Sequence, residues 1–419
     1  MEATVGIDFG TSNSALAITV HGETKVIDIS TDVLEGLRQS TLKSVLFIDE
    51  EWTTFVGQSA VLQYLHERDA GRFMQSLKAF LPIASFDSVT IYGERITLEQ
   101  LIGLLFQEIK KHVDGLLEGA PYRVVIGRPV VFSEDPAAEQ FAEIRLQSAA
   151  EIAGFTNITF QLEPVAATLA YAAEMTSERP QVVLMGDFGG GTSDFTVMRL
   201  TPATASQSRK EEILSVGGVP IGGDAFDSRI MWEKITPIFG RNVEYRNMSD
   251  QKLPMPANLM RSLCQWHTIS FMRDRKILQA IRDVRRTAND KGAVDRLENL
   301  IVQNKGILIF QAIERAKREL SSNEVARIQY ADHDIEIDEE ITRAEFDSFI
   351  AEHLARIKSC VETVLAEANI EVGEIDAVLL TGGTSFIPAV RRIFEELAGE
   401  EKVINLDAFT SVAKGLATS

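Results

Sequence analysis

One short pattern occurs twice in the chain, and it constrains the fold more than any other feature. The first copy is Gly6-Ile-Asp-Phe-Gly-Thr-Ser-Asn13 and the second is Gly186-Asp-Phe-Gly-Gly-Gly-Thr-Ser-Asp194. In both, an apolar run leads into Asp-Phe-Gly, hydroxyl side chains follow, and a second apolar run leaves, which is typical of two antiparallel strands joined by a turn. The repetition predicts an internal duplication and therefore two related lobes.

The second turn contains groups that suit a phosphate and a cation. Gly189, Gly190 and Gly191 have no Cβ, so their N–H groups can approach an anion closely. Asp187 and Asp194 stand at the two ends of this turn, where carboxylates could hold a hydrated cation against a phosphate. The alternative is a glycine-rich hairpin in which aspartate only forms the turn. The segment alone leaves both interpretations open.

Length and charge exclude several classes of protein. A chain of 419 residues can form two or more cores, and its net charge of −19 argues against a nucleic-acid partner. Two cysteines cannot form a disulfide framework, and the histidines lack the spacing of a zinc site. Because no signal peptide and no membrane-length apolar run is visible, we expect a cytoplasmic protein with no membrane partner.

Strands alternate with helices along the chain, which predicts an α/β fold. The clearest helix signals are Thr97 before an amphipathic run over 98–117 and the Thr-x-x-Glu spacing of Thr342 and Glu345, which predicts a capping box. A glycine-rich turn is expected at 217–224 and a loop at 202–210. The basic stretch 273–286 has apolar residues at helical spacing, so we interpret it as a solvated helix face rather than a binding arm.

An ATP-cleaving site needs donors around the phosphates and carboxylates that anchor a cation and orient water. The turns Gly10–Ser12 and Gly189–Thr192 could supply the donors. The candidate carboxylates all stand next to strand ends, where each could instead be a simple cap or turn former; they are Asp8, Glu163, Asp187 and Asp194.

Three further features each have a functional and a structural interpretation. Glu314, Lys317, Arg318 and Ser321 share one helix face, which could meet a ribose and a base, or could be an exposed stripe with a Glu314–Arg318 pair. Gly382-Gly383 could lie flat against a nucleotide or form a tight turn. Lys78 stands alone in an apolar setting, where most lysines extend to solvent.

Taken in order, these motifs resemble the ATPase domain of DnaK-class heat-shock protein 70 chaperones, and in particular the short YegD-like members. The similarity spans nearly the whole chain except 232–306. The segments that carry it are Ile7–Ser14, Val125–Pro129, Leu162–Tyr171, Asp187–Asp194, Ile221–Asp227, Glu314–Ser321, Ile341–Phe346, Leu379–Thr384 and, for the YegD-like members, Ser411–Ala417.

The resemblance implies an actin-like ATPase fold with two duplicated lobes, each a central mixed sheet flanked by helices, and a nucleotide cleft between them. Lobe I would comprise 1–180 with 37–119 as a peripheral subdomain. Lobe II would comprise 181–402 with a largely helical subdomain at 229–340, and 403–419 would return to lobe I.

It also implies a role for each matching residue. Asp8 and Asp194 would hold the water shell of Mg²⁺, Glu163 and Asp187 would orient or deprotonate the attacking water, and Lys78 would stabilise the γ-phosphate. The phosphates would contact Thr11, Ser12, Gly190, Gly191 and Thr192, and Thr192 would also belong to the catalytic residues. Further nucleotide-binding residues would be Gly10, Gly189, Gly222 and Gly223. The nucleoside would contact Glu314, Lys317, Arg318, Ser321, Gly382, Gly383 and Phe386.

The chain departs from the family pattern in four places. It ends after the ATPase domain, so we expect no peptide-binding domain. Phe386 replaces an arginine over the adenine, which would keep stacking and remove a cation. Arg128 precedes Pro129, the proline of the family's interlobe switch, where a small apolar residue is usual. Finally, 232–306 is longer than its counterpart.

The expected function is therefore slow, Mg²⁺-dependent ATP hydrolysis by a chaperone-like protein. The expected ligands are ATP, ADP and Mg²⁺, with K⁺ as a further option, and the expected protein partners are a co-chaperone or a client. Two alternatives on the same fold are a small-molecule kinase and a nucleotide-dependent assembly module. A kinase would need an acceptor pocket with its own carboxylate, for which the sequence offers no clear candidate.

Overall fold

The computed structural model describes the chain except residues 1–2, 32–37, 67–70, 176, 178, 203–209, 248, 266–267, 270–271, 333 and 408. The predicted loop at 202–210 lies almost entirely outside the described residues. The chain divides into a first unit of Met1–His66, Arg72–Gly223 and Leu354–Ser419, and a second unit formed mainly by Asp224–His353. In the described part of the chain, no helix is long and apolar enough to cross a membrane.

The predicted α/β architecture is confirmed. The strands are β1 Ala3–Phe9, β2 Asn13–Val20, β3 Glu23–Val26, β4 Ser30–Thr31, β5 Arg38–Gln39, β6 Thr41–Lys43, β7 Val45–Ile48, β8 Thr54–Val56, β9 Arg72–Gln75, β10 Ser88–Ile91, β11 Glu94–Thr97, β12 Tyr122–Arg128, β13 Ile158–Leu162, β14 Gln181–Phe188, β15 Ser193–Thr201, β16 Lys210–Val219, β17 Glu244–Arg246, β18 Lys252–Pro254, β19 Val325–Asp332, β20 Ile335–Thr342, β21 Ala377–Thr381 and β22 Val403–Asn405. The α-helices are α1 Gln58–His66, α2 Leu98–Leu117, α3 Pro136–Ile152, α4 Glu163–Glu174, α5 Gly223–Ile230, α6 Ala257–Leu263, α7 Arg275–Thr287, α8 Lys291–Val302, α9 Gly306–Leu320, α10 Arg343–Glu367, α11 Pro388–Ala398 and α12 Ser411–Thr418.

The first unit contains two mixed sheets of the same topology. One has the strand order β13-β12-β1-β2-β3, with β6 also paired to β2, and the other has the order β22-β21-β14-β15-β16. In each of these orders the first three strands are parallel, and the third of them is the central strand of the sheet. The last two strands pair in antiparallel fashion, the first of them with the central strand. The central strands, β1 and β14, are the two that end in Asp-Phe-Gly.

Helix α12 packs closely on the first sheet through small residues. Ala15, Ala17, Ala413 and Ala417 form one buried cluster. A Cβ on Gly415 would lie 1.7 Å from the carbonyl oxygen of Ala166, so only glycine permits this approach of α12 to α4. The last helix of the described chain is therefore part of the core under β1 and β2.

The strongest helix signals are confirmed, whereas the predicted extent of one glycine-rich turn was wrong. Thr97 caps α2 in a capping box with Gln100. The glycine-rich turn expected at 217–224 is shorter than predicted, because β16 continues to Val219. Gly217 and Gly218 pair with β15, so their backbone belongs to the sheet and not to a turn.

The second unit is mostly helical, as predicted, and also contains two hairpins. The pair β19–β20 falls where alternation predicts it, whereas β17–β18 lies inside a region with a helical pattern. The basic side chains of α7 are exposed, as expected of a solvated helix face, and Arg282 Nε lies 2.6 Å from Glu298 Oε1 on α8. Thr342 and Glu345 form the predicted capping box, with Thr342 N donating to Glu345 Oε2 at 2.9 Å.

Candidate functional site

The turns of the two Asp-Phe-Gly hairpins adjoin in the first unit. A Cβ on Gly191 would lie 3.2 Å from Thr11 Oγ1. The Gly189 N–H closes its own turn by donating to the Thr192 carbonyl at 3.0 Å. Thr11 is buried and Ser12 is exposed, so the paired turns form one small polar surface.

Two further glycine segments pack against the second turn. The Gly223 N–H donates to the Gly189 carbonyl at 3.1 Å. A Cβ on Gly222 would lie 2.3 Å from the Gly190 carbonyl oxygen, and one on Gly382 would lie 2.1 Å from that of Phe188. These contacts leave no room for a side chain at Gly222 or Gly382. The two turns and these two segments, four glycine-containing segments in all, therefore meet around the end of β14.

A lysine and four carboxylates lie beside the paired turns. Lys78 Nζ donates to Glu163 Oε1 at 2.6 Å, and each side chain is 8% exposed. Burial by itself lowers the pKa of Lys78, but the nearby carboxylates of Glu163 and Asp8 outweigh it and raise the pKa. The structural alternative, in which Lys78 extends to solvent like most lysines in an apolar setting, therefore does not hold.

Burial and the charges of neighbouring carboxylates raise the pKa values of the three aspartates. Desolvation raises the pKa of Asp8 to about 7, assisted by the charge of Glu163 and opposed by Lys78. The pKa of Asp187 is raised well above its ordinary value, first by burial and then by Glu163, Asp8 and Asp194. One ammonium group does not neutralise four carboxylates, so the cluster is short of positive charge.

Asp194 accepts hydrogen bonds from two backbone N–H groups that the sequence did not identify. Its Oδ1 accepts a hydrogen bond from the Val130 N–H at 2.7 Å and a longer one from Val131 at 3.4 Å. Burial and the charge of Glu163 raise the pKa of Asp194 to about 7, although hydrogen bonds from Thr192 and Val130 lower it. Backbone donors of this kind carry no side-chain signal, and only the neighbouring Pro129 pointed to the segment.

Arg128 fixes the start of this segment to helix α3. Its guanidinium pairs with Glu139 and Glu143, one turn apart on α3. Glu139 also accepts hydrogen bonds from the N–H groups of Phe132, at 2.6 Å, and Ser133, at 2.9 Å. Arg128, which departs from the family pattern, therefore anchors the loop that carries Val130.

Two local backbone features position Lys78 and Glu163. Lys78 lies in a 3₁₀ turn, Leu77–Phe80, which follows Ser76 in the left-handed region with φ of +53°. Glu163 is the first residue of α4, directly after β13. A Cβ on Gly127 of β12 would lie 3.0 Å from Glu163 Cγ, so the neighbouring strand leaves space for this side chain.

In the second unit, the predicted helix face lies on α9. Glu314 and Arg318 are exposed and Lys317 is half-buried, and Ser321 caps the helix end. The expected alternative, a Glu314–Arg318 pair, is not among the ion pairs of the described residues. Instead Lys317 Nζ donates to Asp227 Oδ2 at 2.7 Å, and the sequence did not identify this partner.

Gly382, Gly383 and Phe386 lie together after β21 in the first unit. Gly382 has φ of +84° and packs on Phe188, whereas a Cβ on Gly383 would meet nothing within 4 Å. Phe386 ends the 3₁₀ turn Gly383–Phe386 and is 47% exposed. The segment therefore presents an open glycine face and an aromatic ring to solvent.

The carboxylates of the site fit a hydrated Mg²⁺ rather than a metal ion enclosed by protein ligands. Among the described residues no group of three or more histidine, cysteine, aspartate or glutamate side chains has the geometry to hold a metal ion. Mg²⁺ usually keeps several of its waters and takes only one or two carboxylates. Asp8 and Asp194 could serve in this way, because the carboxylate cluster lacks positive charge.

The duplicated sheets and their paired glycine turns define the class of protein: this is the actin-like ATPase fold. Within that class, the family model described as Hsp70 protein matches residues 84–255 and 274–419, which is more than half of the chain. The chain therefore belongs to the Hsp70 family, and is an ATP-binding, chaperone-like protein with the ATPase activity of that family.

The range of the match refines two expectations. Residues 232–255 and 274–306 fall inside it, so most of the presumed extension at 232–306 belongs to the family pattern, and the internal gap is 256–273. The first hairpin and Lys78 precede the first matched residue. Their assignment to the site depends on the topology and contacts described above.

Proposed function

We propose that this protein is a YegD-like member of the Hsp70 family that binds ATP with Mg²⁺ and hydrolyses it slowly in the cytoplasm. One observation carries the proposal: the buried Lys78–Glu163 pair lies with three aspartates beside two adjoining phosphate-type turns. Donors, a cation site and water-orienting carboxylates are the three requirements of ATP cleavage.

The turns supply the proposed phosphate contacts. Hydroxyl donors come from Thr11, Ser12 and Thr192, and backbone donors come from the second turn. Because Gly222 and Gly382 pack on that turn without side chains, its backbone can stay close to the surface. Gly190 and Gly191 are the proposed backbone contacts to phosphate, and the further proposed nucleotide-binding residues are Gly10, Gly189, Gly222 and Gly223.

Asp187 and Glu163 act on the attacking water in this proposal. A carboxylate with a raised pKa is a stronger proton acceptor than an ordinary aspartate, and burial raises the pKa of Asp187 well above its usual range. Lys78 keeps Glu163 in place through the 2.6 Å hydrogen bond and can also stabilise the γ-phosphate. Mg²⁺, with its water shell held by Asp8 and Asp194, would neutralise phosphate charge.

The nucleoside contacts are proposed from the family resemblance. Glu314 and Lys317 would meet the ribose, and Arg318 and Ser321 the adenine. Gly382 and Gly383 would lie against the nucleotide, and the exposed ring of Phe386 would stack on the base. We retain 1–180 and 181–402 as the proposed lobes, K⁺ as a further proposed cation, and a co-chaperone or client as the proposed protein partner.

Calorimetric titration with ATP and ADP tests nucleotide binding. We expect binding to both, strengthened by Mg²⁺. Absence of binding at millimolar nucleotide with Mg²⁺ would refute the proposal.

Single-turnover hydrolysis of labelled ATP then tests the carboxylates. We expect Glu163→Gln to slow hydrolysis by about 10²–10³-fold, a size typical of removing one preorganised group. Glu174→Gln, at the exposed end of the same helix α4, is the matched control and should hydrolyse ATP at the wild-type rate. Equal rates in both variants would show that Glu163 has no role in the reaction.

A further inference from the structure

Two exposed aromatic side chains meet at the tips of two loops in the first unit. Trp52 lies in the loop between β7 and β8, and Tyr92 lies in the turn between β10 and β11. Their ring centroids are 5.8 Å apart and the rings meet edge to face at 76°. Each residue remains 42% exposed. We call this pair the aromatic platform.

Backbone preference does not explain the aromatic platform. Trp52 has φ of +64° and Tyr92 has φ of +47°, in the left-handed region that bulky side chains disfavour. Ile91 pairs with Glu94, so Tyr92-Gly93 is a two-residue hairpin turn with both φ values positive, where Asn-Gly is the preferred sequence. Strained residues of this kind are often found at functional sites.

The ring of Tyr92 is held in place although the residue is 42% exposed. Its hydroxyl donates to the Ile48 carbonyl at the end of β7, at 3.3 Å. The edge contact with Trp52 occupies one side. Both rings therefore keep a defined position without being part of the core.

The surroundings of the platform are acidic. The loop that carries Trp52 also contains Asp49, Glu50 and Glu51. Desolvation raises the pKa of Tyr92, and the charges of Glu50 and Asp49 raise it further, against a smaller opposite effect of Arg72. Asp49 accepts a hydrogen bond from the Thr53 N–H at 2.7 Å, whereas Glu50 and Glu51 are exposed. Among the described residues, the charges that act on Tyr92 are therefore mainly those of carboxylates, with Arg72 as the one opposing cation.

We propose that the aromatic platform is a docking site for a segment of a partner protein that presents an arginine side chain. A guanidinium stacks on aromatic faces and pairs with carboxylates in a planar geometry, so it matches both features of the platform. Lysine offers only a compact, strongly hydrated charge. The acidic loop steers a basic segment towards the rings.

Fluorescence anisotropy with the full chain tests this surface. The probes are a labelled peptide of alternating arginine and glycine and a lysine peptide of the same length and charge. We expect the arginine peptide to bind more tightly. Trp52→Ala should weaken its binding about three- to fivefold and remove the preference over lysine. Phe409→Ala, which removes another exposed aromatic of the first unit, should bind both peptides as the wild type does.

Tyr92→Asn separates recognition from stability. Asparagine suits the left-handed turn, so this variant should keep or raise the melting temperature while it loses affinity for the arginine peptide. The proposal is wrong if Trp52→Ala and Tyr92→Asn bind both peptides like the wild type, or if Tyr92→Asn lowers only the melting temperature. It is also wrong if the wild type self-associates through this surface and Trp52→Ala does not, because the occupant is then a second copy.

Discussion

The hairpins β1–β2 and β14–β15 have the same construction and different contents. In the first, Phe9 pairs with Ser14 across a four-residue turn, and in the second Phe188 pairs with Ser193 across a turn of the same length. One step back along each ladder, Asp8 faces Ala15, whereas Asp187 faces Asp194. The duplicated frame therefore carries one carboxylate in one copy and two in the other.

What packs on each hairpin accounts for this difference. Ala15 lies in the alanine cluster under α12, where a larger or charged side chain would displace the helix. Asp194 instead faces the segment after Pro129 and accepts the Val130 N–H at 2.7 Å. The same ladder position is thus a packing site in one sheet and a polar site in the other, because different elements cover it.

The largest effect is expected when the carboxylate of the second hairpin is introduced at the equivalent position of the first hairpin. Ala15→Asp should destabilise the protein by on the order of 3–5 kcal/mol, because Ala15 is 1% exposed and the new charge would have no partner under α12. Urea unfolding measures the change. The control Ala84→Asp, at an exposed loop position, should unfold like the wild type. If Ala15→Asp is equally stable, packing does not distinguish the two hairpins.

The next test compares the two equivalent aspartates. Asp187→Asn should slow single-turnover ATP hydrolysis by about 10²–10³-fold, or roughly 3–4 kcal/mol, with ATP affinity nearly unchanged. Asp8→Asn should instead weaken ATP binding in the presence of Mg²⁺ and have little effect without it. Calorimetry with and without Mg²⁺ separates the two outcomes. Identical behaviour of the variants would contradict the division of roles between them.

The smallest effect concerns the turn itself. Gly222→Ala should destabilise the protein by about 1–3 kcal/mol, because the new Cβ would lie 2.3 Å from the Gly190 carbonyl oxygen. We also expect weaker ATP binding, since the second turn must shift. Gly373→Ala is the control: its Cβ would meet nothing within 4 Å, and the residue is not among the proposed nucleotide contacts. Urea unfolding and calorimetry of both variants would show whether packing behind the turn matters.

Local signals predicted the elements well. Helix α2 begins and ends where its apolar period and Thr97 indicate, and Thr342 with Glu345 marks the start of α10. The β17–β18 hairpin was missed because its residues lie within a stretch of helical periodicity. The turn at 217–224 was predicted too long because glycine signals a turn even where, as at Gly218, the backbone belongs to a strand.

The candidate site was predicted unevenly for a related reason. Its carboxylates stand next to strand ends, which the sequence reveals. Lys78 was ambiguous, because its partner Glu163 lies far along the chain and only folding brings them together. The donors to Asp194 were missed, since backbone N–H groups look alike in every sequence.

The sequence by itself determined the duplicated hairpins, the alternation of strands and helices, and the residues at both turns, because these depend on local periodicity and on the properties of glycine and aspartate. Only the tertiary structure decided which of these residues meet. It buried Lys78 against Glu163, covered Ala15 with α12, and left Asp194 facing the Val130 N–H. Long-range packing sets burial, and burial sets both the pKa values and the charge that a site can hold.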